Sequence, residues 1–281
     1  MLIKSVAEMK KIAYYLKTHG EKISFIPTMG NIHDGHLALL KKASEFSKKK
    51  IVSIFINPMQ FNNQEDYARY PSTLERDLDL LLSCDKETIV FAPKINEIYP
   101  QGFHNHTTVS VPVVSTILEG ESRSGHFDGV STIVTKLFSI ISPDYSFFGE
   151  KDYQQLIIVK KINNDLGLGG EIVSIPIVRD TNGLAFSSRN SLLSQEAIKI
   201  APKIYETLQE IASVIKYDDS QYEKEIAEAT RKLNRFGFTV DKVFYKDAET
   251  LHDVSDHSKS KIILLAAWLD NIRLIDNIFI I

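Results

Sequence analysis

Through its first two thirds the chain alternates short β-branched or aromatic runs with longer amphipathic stretches, and few architectures accommodate that rhythm. The short runs lie at residues 22–27 (KISFIP), 51–57 (IVSIFIN), 88–92 (TIVFA), 145–148 (YSFF) and 171–178 (EIVSIPIV), and the amphipathic ones at 36–48, 72–82, 129–142 and 152–166. Strands that are apolar along their whole length need cover on both faces, and helices interleaved with them in sequence supply it. The pattern therefore predicts an α/β fold, a Rossmann-like doubly wound parallel sheet. Ser72 with Glu75 has the spacing of a capping box and predicts a helix start at that point.

After about residue 194 the order changes: helix-like stretches at 195–216 and 221–236 precede strand-like ones at 238–245, 262–268 and 272–281. Helices followed by clustered strands predict a smaller α+β domain. With the boundary near Val178, the domains are 1–178 and 179–281, a division that suits a chain of 281 residues.

A formal net charge of −3 gives no global attraction to nucleic acid or to an anionic membrane, although local basic patches can still hold phosphate. The first 20 residues mix Lys and Glu among apolar side chains, unlike a signal peptide, and the apolar C-terminal stretch is interrupted by Asp270, Arg273 and Asp276, unlike a membrane span. Cys84 is the only cysteine, which excludes an intrachain disulfide and fits a reduced, cytoplasmic setting; at the end of a helical pattern it reads as packing. Phe61, Tyr67, Tyr70, Phe147 and Phe148 read as core or pocket walls rather than a base-stacking surface, and Lys48 to Lys50 as a solvated helix end.

Residues with chemistry gather where strand-like runs end. The first run leads into TMGNIHDGHLALLKK, where Gly30 and Gly35 permit close backbone approach. His33 and His36 stand three apart at a helix start, a spacing that puts both imidazoles on one face beside the helix's positive end. Such a place suits a polyphosphate, with backbone donors around it and imidazoles stabilising charge at phosphorus. Two surface histidines on a glycine-containing loop is the plainer alternative, and zinc lacks an adjacent third ligand. Gln60, in Asn57-Pro58-Met59-Gln60 after the second run, offers an amide to the hydroxyls and carboxylate of a small acid. In Gly149-Glu150-Lys151-Asp152 the lysine can reach a polyphosphate and the aspartate can cap a helix, unless both are solvated turn charges. Ser187, Ser188 and Arg189 can donate to phosphate oxygens, or else cap a helix and form a surface ion pair. Arg123 and His126 are either anion ligands or structural groups.

The HDGH segment resembles the HIGH signature of nucleotidylyltransferases. Beyond it, PTMGNIHDGH, SIFINPMQF, EDYARYP, LEGESRSGHFDGV, FFGEKDYQQL and IPIVRDTNGLAFSSRNSLL together resemble, in order, the pantothenate synthetases (pantoate–β-alanine ligases, AMP-forming). These blocks cover much of residues 25–193; the last third carries fewer. The resemblance implies ATP-dependent condensation of (R)-pantoate with β-alanine to pantothenate, AMP and pyrophosphate through pantoyl adenylate, on the path to coenzyme A. It implies that Met29, Gly30, Asn31, Ile32, His33, Asp34, Gly35 and His36 bind ATP, together with Gly149, Glu150, Lys151 and Asp152. It also implies a backbone contact from Val178 to adenosine and a mobile loop, Phe186-Ser187-Ser188-Arg189, that closes on ATP. Gln60, Gln155 and Asn57 carry over as pantoate and β-alanine contacts, with Gln155 four residues after Lys151 on a similar helical face. His36 and His33, with Lys151, Ser187, Ser188 and Arg189, form the expected catalytic set. Magnesium accompanies ATP, and Asp77 is either a direct or water-mediated ligand of it or an exposed helical acid. A homodimer is implied as well.

Phe186 stands where the family commonly has Met, and Ser124 where it often has Pro. Another small-molecule nucleotidylyltransferase of the same fold and a silent nucleotide sensor are the competing readings. The presence of His33, His36, Lys151 and Arg189 argues against the sensor.

Overall fold

The computed structural model describes residues 1–280. The chain divides into two compact units, one formed by Met1–Glu150 with Gln154–Pro176, the other by Lys151–Tyr153 with the residues from Ile177 onward.

The first unit is built on a six-stranded, all-parallel sheet. Its strands are β1 (Leu2–Ile3), β2 (Ile23–Thr28), β3 (Lys49–Ile54), β4 (Ile89–Phe91), β5 (Tyr145–Gly149) and β6 (Glu171–Ile175), in the spatial order β1-β4-β3-β2-β5-β6. From β2 the chain winds outward through β3 to β4, then returns to β5 on the other side of β2 and continues to β6. The order reverses between β2 and β5, the kind of switch point beside which open α/β sheets bind ligands. The main helices of this unit are α1 (Val6–Thr18), α2 (Asp34–Ala43), α3 (Gln64–Arg69), α4 (Leu74–Cys84), α5 (Ile95–Ile98), α6 (Glu119–Ser122), α7 (His126–Ile141) and α8 (Tyr153–Asp165), the last beginning one residue before the unit resumes.

Alternate side chains of β2 show why its sequence is apolar throughout. Ile26 packs with Leu39, Leu40 and Ala43 of α2 and Leu81 of α4. Phe25, on the opposite pleat, meets Phe138 of α7 edge-on at 6.1 Å. Cys84 packs against the same core as Ile26, as read from the sequence.

Several boundaries differ from the sequence expectations for identifiable reasons. β1 and α1 lie outside the expected elements: β1 is two residues paired with β4, too short for any periodicity to register. The N-cap of α4 is Thr73, not Ser72, and its hydroxyl donates to Asp77 Oδ1 (3.1 Å) instead of capping. α2 ends at Ala43, and Lys50 is no solvated helix residue: it lies in β3, is buried, and pairs with Asp85 at 2.6 Å.

In the second unit the stretch expected as one helix is two, α9 (Gln195–Ile200) and α10 (Lys203–Ile215), separated at Pro202, which has no N–H to continue the ladder. α11 (Tyr222–Arg235) follows, and then the antiparallel sheet β7 (Thr239–Asp247), β8 (Lys261–Leu269) and β9 (Ile272–Ile280). Asp270 and Asn271 join β8 to β9 with φ of 54° and 59°, the left-handed pair a tight hairpin needs. Ile204, Leu208 and Ile211 of α10 pack with Leu233, Ile263, Leu265 and Leu274 in this unit's core. No helix among the described residues is long and apolar enough to cross a membrane.

Candidate active site

The histidine loop leaves the carboxyl end of β2, beside the switch point. Thr28 donates to Ser53 O (2.7 Å) and accepts the Gly30 N–H (3.2 Å), which fixes the exit of the strand. Gly30 and Asn31 then take φ of 85° and 50°. At Gly30 a side chain would meet Asp77 Oδ2 at 3.0 Å and Ile54 Cγ2 at 3.1 Å, so both the backbone angle and the available space call for glycine. His33 is the N-cap of α2 and His36 its third residue; their rings lie 4.0 Å apart, centroid to centroid. The His33 N–H approaches His36 Nδ1 at 3.4 Å, which leaves Nε2 as the proton-bearing nitrogen of a neutral His36 ring. The pairing expected from the spacing is present.

Asp77 is neither an exposed helical acid nor an open carboxylate. It is fully buried (0% exposed), and it accepts the Asn31 N–H on Oδ2 (2.9 Å), and the Ile32 N–H (2.8 Å) and the Thr73 hydroxyl (3.1 Å) on Oδ1. Arg76 adds a bond to Asn31 Oδ1 (3.1 Å). The start of α4 thus anchors the left-handed turn that aims His33 and His36, a role the sequence reading did not assign.

β3 leads into Asn57 and Gln60, both buried. Asn57 Nδ2 donates to Gln60 Oε1 (3.1 Å) and Gly129 O (3.0 Å), and Asn57 Oδ1 accepts from the Tyr99 hydroxyl (2.8 Å). Burial pushes the Tyr99 phenol well above its ordinary pKa, so it remains a donor. Gly129 lets α7 approach this turn: a Cβ there would sit 2.4 Å from Met59 O. His126, the first residue of α7, is buried with Nδ1 at 2.7 Å from Gln60 O, which makes it a support of the turn. Arg123 faces Glu119 at 3.8 Å. Phe61 meets Tyr67 and Tyr70 edge-on at 5.3 and 5.6 Å, the packing role expected of these rings.

The two glutamines opening α8 differ. Gln154 is buried and serves structure, donating to Val114 O and Ile117 O (both 2.8 Å) and accepting the Glu119 N–H (3.1 Å). Gln155 is half-buried. Lys151 lies in the 3-10 turn Glu150–Asp152 ahead of α8, so the helical spacing invoked between Lys151 and Gln155 does not apply.

In the second unit, Lys151 is half-buried, its ammonium 3.6 Å from Asp152 Oδ1 and its carbonyl accepting from Asn277 Nδ2 (3.1 Å). Val178 O accepts the Phe186 N–H (3.0 Å), and Arg179 bridges to Ala185, which closes a small hairpin around the DTNG turn. Arg179 holds the hairpin in place: it pairs with both Asp276 oxygens (2.6 and 2.8 Å), donates to Gly183 O (3.1 Å) and stacks on Tyr205 at 3.5 Å. The tight turn that follows brings Ser187 Oγ to the Arg189 N–H (3.2 Å) and Ser187 O to the Asn190 N–H (3.0 Å). Ser187, Ser188 and Arg189 are partly exposed. Among the described residues, no group of three or more His, Cys, Asp or Glu side chains is arranged to hold a metal.

The chain matches the family model described as Pantoate-beta-alanine ligase over residues 1–279. It is similar to the pantothenate synthetase of Thermus thermophilus at 39% identity, with a TM-score of 0.90 and coverage of 99% of this chain and 98% of that one. It is also similar to the pantoate-beta-alanine ligase of Francisella tularensis, solved in complex with Beta-gamma ATP and Beta-alanine, at 36% identity, a TM-score of 0.84, and coverage of 99% and 97%.

Proposed function

The chain belongs to the pantoate-beta-alanine ligase family, and we propose from that premise how its own residues divide the work of condensing pantoate with β-alanine at the expense of ATP. A carboxylate resists attack by an amine because oxide is a poor leaving group. Activation removes the obstacle: a pantoate carboxylate oxygen attacks the α-phosphorus of ATP and pyrophosphate departs, leaving pantoyl adenylate. The β-alanine amine then attacks the acyl carbon, loses a proton, and AMP departs.

In the first step the protein's task is alignment and charge stabilisation. We assign the polyphosphate to the loop from Met29 to His36, with His36 donating from Nε2 to oxygens on which charge grows and His33 beside it. Gly149, Glu150, Lys151 and Asp152, and the Ser187-Ser188-Arg189 turn, supply further phosphate contacts, while the Val178 and Phe186 backbones face the adenosine. Gln60 and Gln155 take pantoate and β-alanine, whereas Asn57, expected to join them, is buried with its amide committed to Gln60, Gly129 O and Tyr99, and so holds Gln60 in place. The observation that carries the assignment is the closely paired His33 and His36 rings on an anchored turn at the carboxyl end of β2, next to the switch point.

Magnesium belongs to the same reading as the companion of ATP, where it offsets polyphosphate charge. The Asp77 oxygens are engaged with the loop and Thr73, so the ion is assigned to the nucleotide and no protein ligand is named for it. A homodimer and a cytoplasmic setting complete the proposal, supported by the family and by the single cysteine.

Incubation with ATP and pantoate, without β-alanine, tests the order of events. Pyrophosphate should be released and bound pantoyl adenylate should be detected by mass spectrometry of the quenched complex. An absolute requirement for β-alanine before any pyrophosphate appears would contradict it.

A further inference from the structure

Building on the reading of Gln60 as a pantoate contact, we propose that Tyr99 is a positioning residue that fixes which end of the Gln60 amide faces the substrate, so that this corner of the site selects a hydrogen-bond-accepting oxygen. Three side chains, Tyr99, Asn57 and Gln60, are linked in series. Tyr99, just after α5, is 1% exposed, and its hydroxyl donates to Asn57 Oδ1 at 2.8 Å. The Met59 N–H reaches the same oxygen at 3.4 Å. The Met59 N–H can only donate and the Gly129 carbonyl can only accept, so Asn57 turns its oxygen toward the first, where the Tyr99 hydroxyl holds it, and its amide nitrogen toward Gly129 O (3.0 Å), which brings that nitrogen to Gln60 Oε1 as well (3.1 Å). A reversed Asn57 would set its oxygen against the Gly129 carbonyl and its N–H against the Met59 N–H, so these two backbone groups admit one orientation.

That orientation passes to Gln60. Its Oε1 is committed to Asn57, so its NH2 is the end that remains for a ligand. The NH2 faces the Met29 thioether sulfur at 2.9 Å, and a thioether is a weak acceptor that a hydroxyl or carboxylate oxygen outcompetes. The backbone of Gln60 is fixed as well, through His126 on its carbonyl at 2.7 Å. The Tyr99 ring cannot swing away from Asn57: Phe55 and Phe103 lie 6.1 and 6.3 Å from it, His106 meets it edge-on at 5.0 Å, and the Lys136 ammonium sits 5.4 Å from its centroid. Tyr99 therefore acts through Asn57 on the polarity of Gln60. A ligand presenting only N–H donors at this point is refused, because donor would face donor.

Tyr99→Phe keeps the ring and removes the hydroxyl. The expected result is a pantoate KM raised about three- to tenfold, with kcat and the ATP KM within about twofold of wild type. In a Gln60→Ala background the same change should raise the pantoate KM no further, since the effect passes through Gln60. Asn57→Asp, nearly identical in shape, replaces the donor facing Gln60 by an acceptor and obliges the Gln60 amide to turn over; it should weaken pantoate more than Tyr99→Phe does, and it carries the test if Tyr99→Phe fails to fold. A folded Tyr99→Phe with wild-type pantoate KM, an additive effect with Gln60→Ala, a parallel rise in the ATP KM, or unimpaired pantoate use by Asn57→Asp would each overturn the inference. A wild-type protein that does not bind pantoate in calorimetry would overturn the Gln60 reading and this inference with it. Wild-type binding unchanged by these variants would overturn the positioning role alone.

Discussion

Replacing Asp77 by asparagine isolates the carboxylate that anchors the histidine loop. In the native protein one oxygen receives the Asn31 N–H at 2.9 Å and the other the Ile32 N–H at 2.8 Å, all inside the fold. Asparagine has the same shape, but one oxygen becomes NH2, so whichever way the amide lies one backbone N–H faces another donor. Loss of a hydrogen bond to a charged partner costs roughly 1.5–3 kcal/mol. The left-handed backbone at Gly30 and Asn31 has no stability of its own to offset that loss. At a factor of ten per ~1.4 kcal/mol, the equilibrium constant for the aligned loop falls about 10- to 100-fold, and adenylate formation should fall measurably, by up to the same factor. Single-turnover pyrophosphate release at saturating ATP and pantoate reads this step. The thermal midpoint of the variant should drop by roughly 3–10 °C if loop and unit melt together. Magnesium provides the control, since a lost metal ligand is rescued by raising its concentration and a lost loop anchor is not. A wild-type rate in Asp77→Asn, or full recovery in excess magnesium, would refute the anchoring argument.

Three further outcomes are expected. His36→Ala should slow adenylate formation by about 10²–10³ with little change in ATP affinity, and His36→Gln should recover part of the loss; near wild-type single-turnover rates in both folded variants would leave His36 a structural residue. Gln60→Ala and Gln155→Ala should each weaken pantoate binding by roughly 0.5–1.5 kcal/mol while sparing ATP, and calorimetry showing the reverse would exchange the two assignments. Asp85 is held below the usual carboxylate range: burial alone would raise it, but the Lys50 and Glu87 N–H bonds and the Lys50 charge prevail. A depressed carboxylate stabilises the fold above its unfolded pKa of about 3.9 and ceases to do so as pH falls through the lower folded value. Stability measured by urea titration from pH 6 downward should therefore decline less steeply in Asp85→Asn, and parallel curves for the two proteins would show that the pair contributes nothing to acid sensitivity.

The strands and the long helices were legible because their signal is local. β2, buried on both faces, has to be apolar at nearly every position, and β3 and β5 obey the same requirement. What local pattern could not convey was partnership. Nothing in residues 22–27 says that β2 lies between β3 and β5, and that placement creates the switch point. Lys50 illustrates the same gap at the level of one side chain. In a run of three lysines it looks solvated, and only its alignment in β3 beside Asp85 makes burial tolerable.

The site divides along the same line. The histidine pair could be read because N-cap and third helical residue are fixed by three positions of sequence, whatever the tertiary fold. Its anchor could not, because Asp77 is separated from the turn it holds by 46 and 45 residues. A signal was nevertheless present. Leu74, Asp77, Leu78 and Leu81 fall at helical spacing on one stripe of α4, with Leu78 and Leu81 in the core, so a carboxylate there faces inward. A buried acid must find donors, and the neighbouring loop, with N–H groups turned inward by its left-handed backbone, is where such donors are left over from secondary structure. Gln154 and Gln155 carried no comparable signal. Both are glutamines on the first turn of α8, and they are told apart only because the segment at residues 114–119 packs on Gln154, taking both of its amide donors and a bond to its oxygen, while Gln155 remains half-buried.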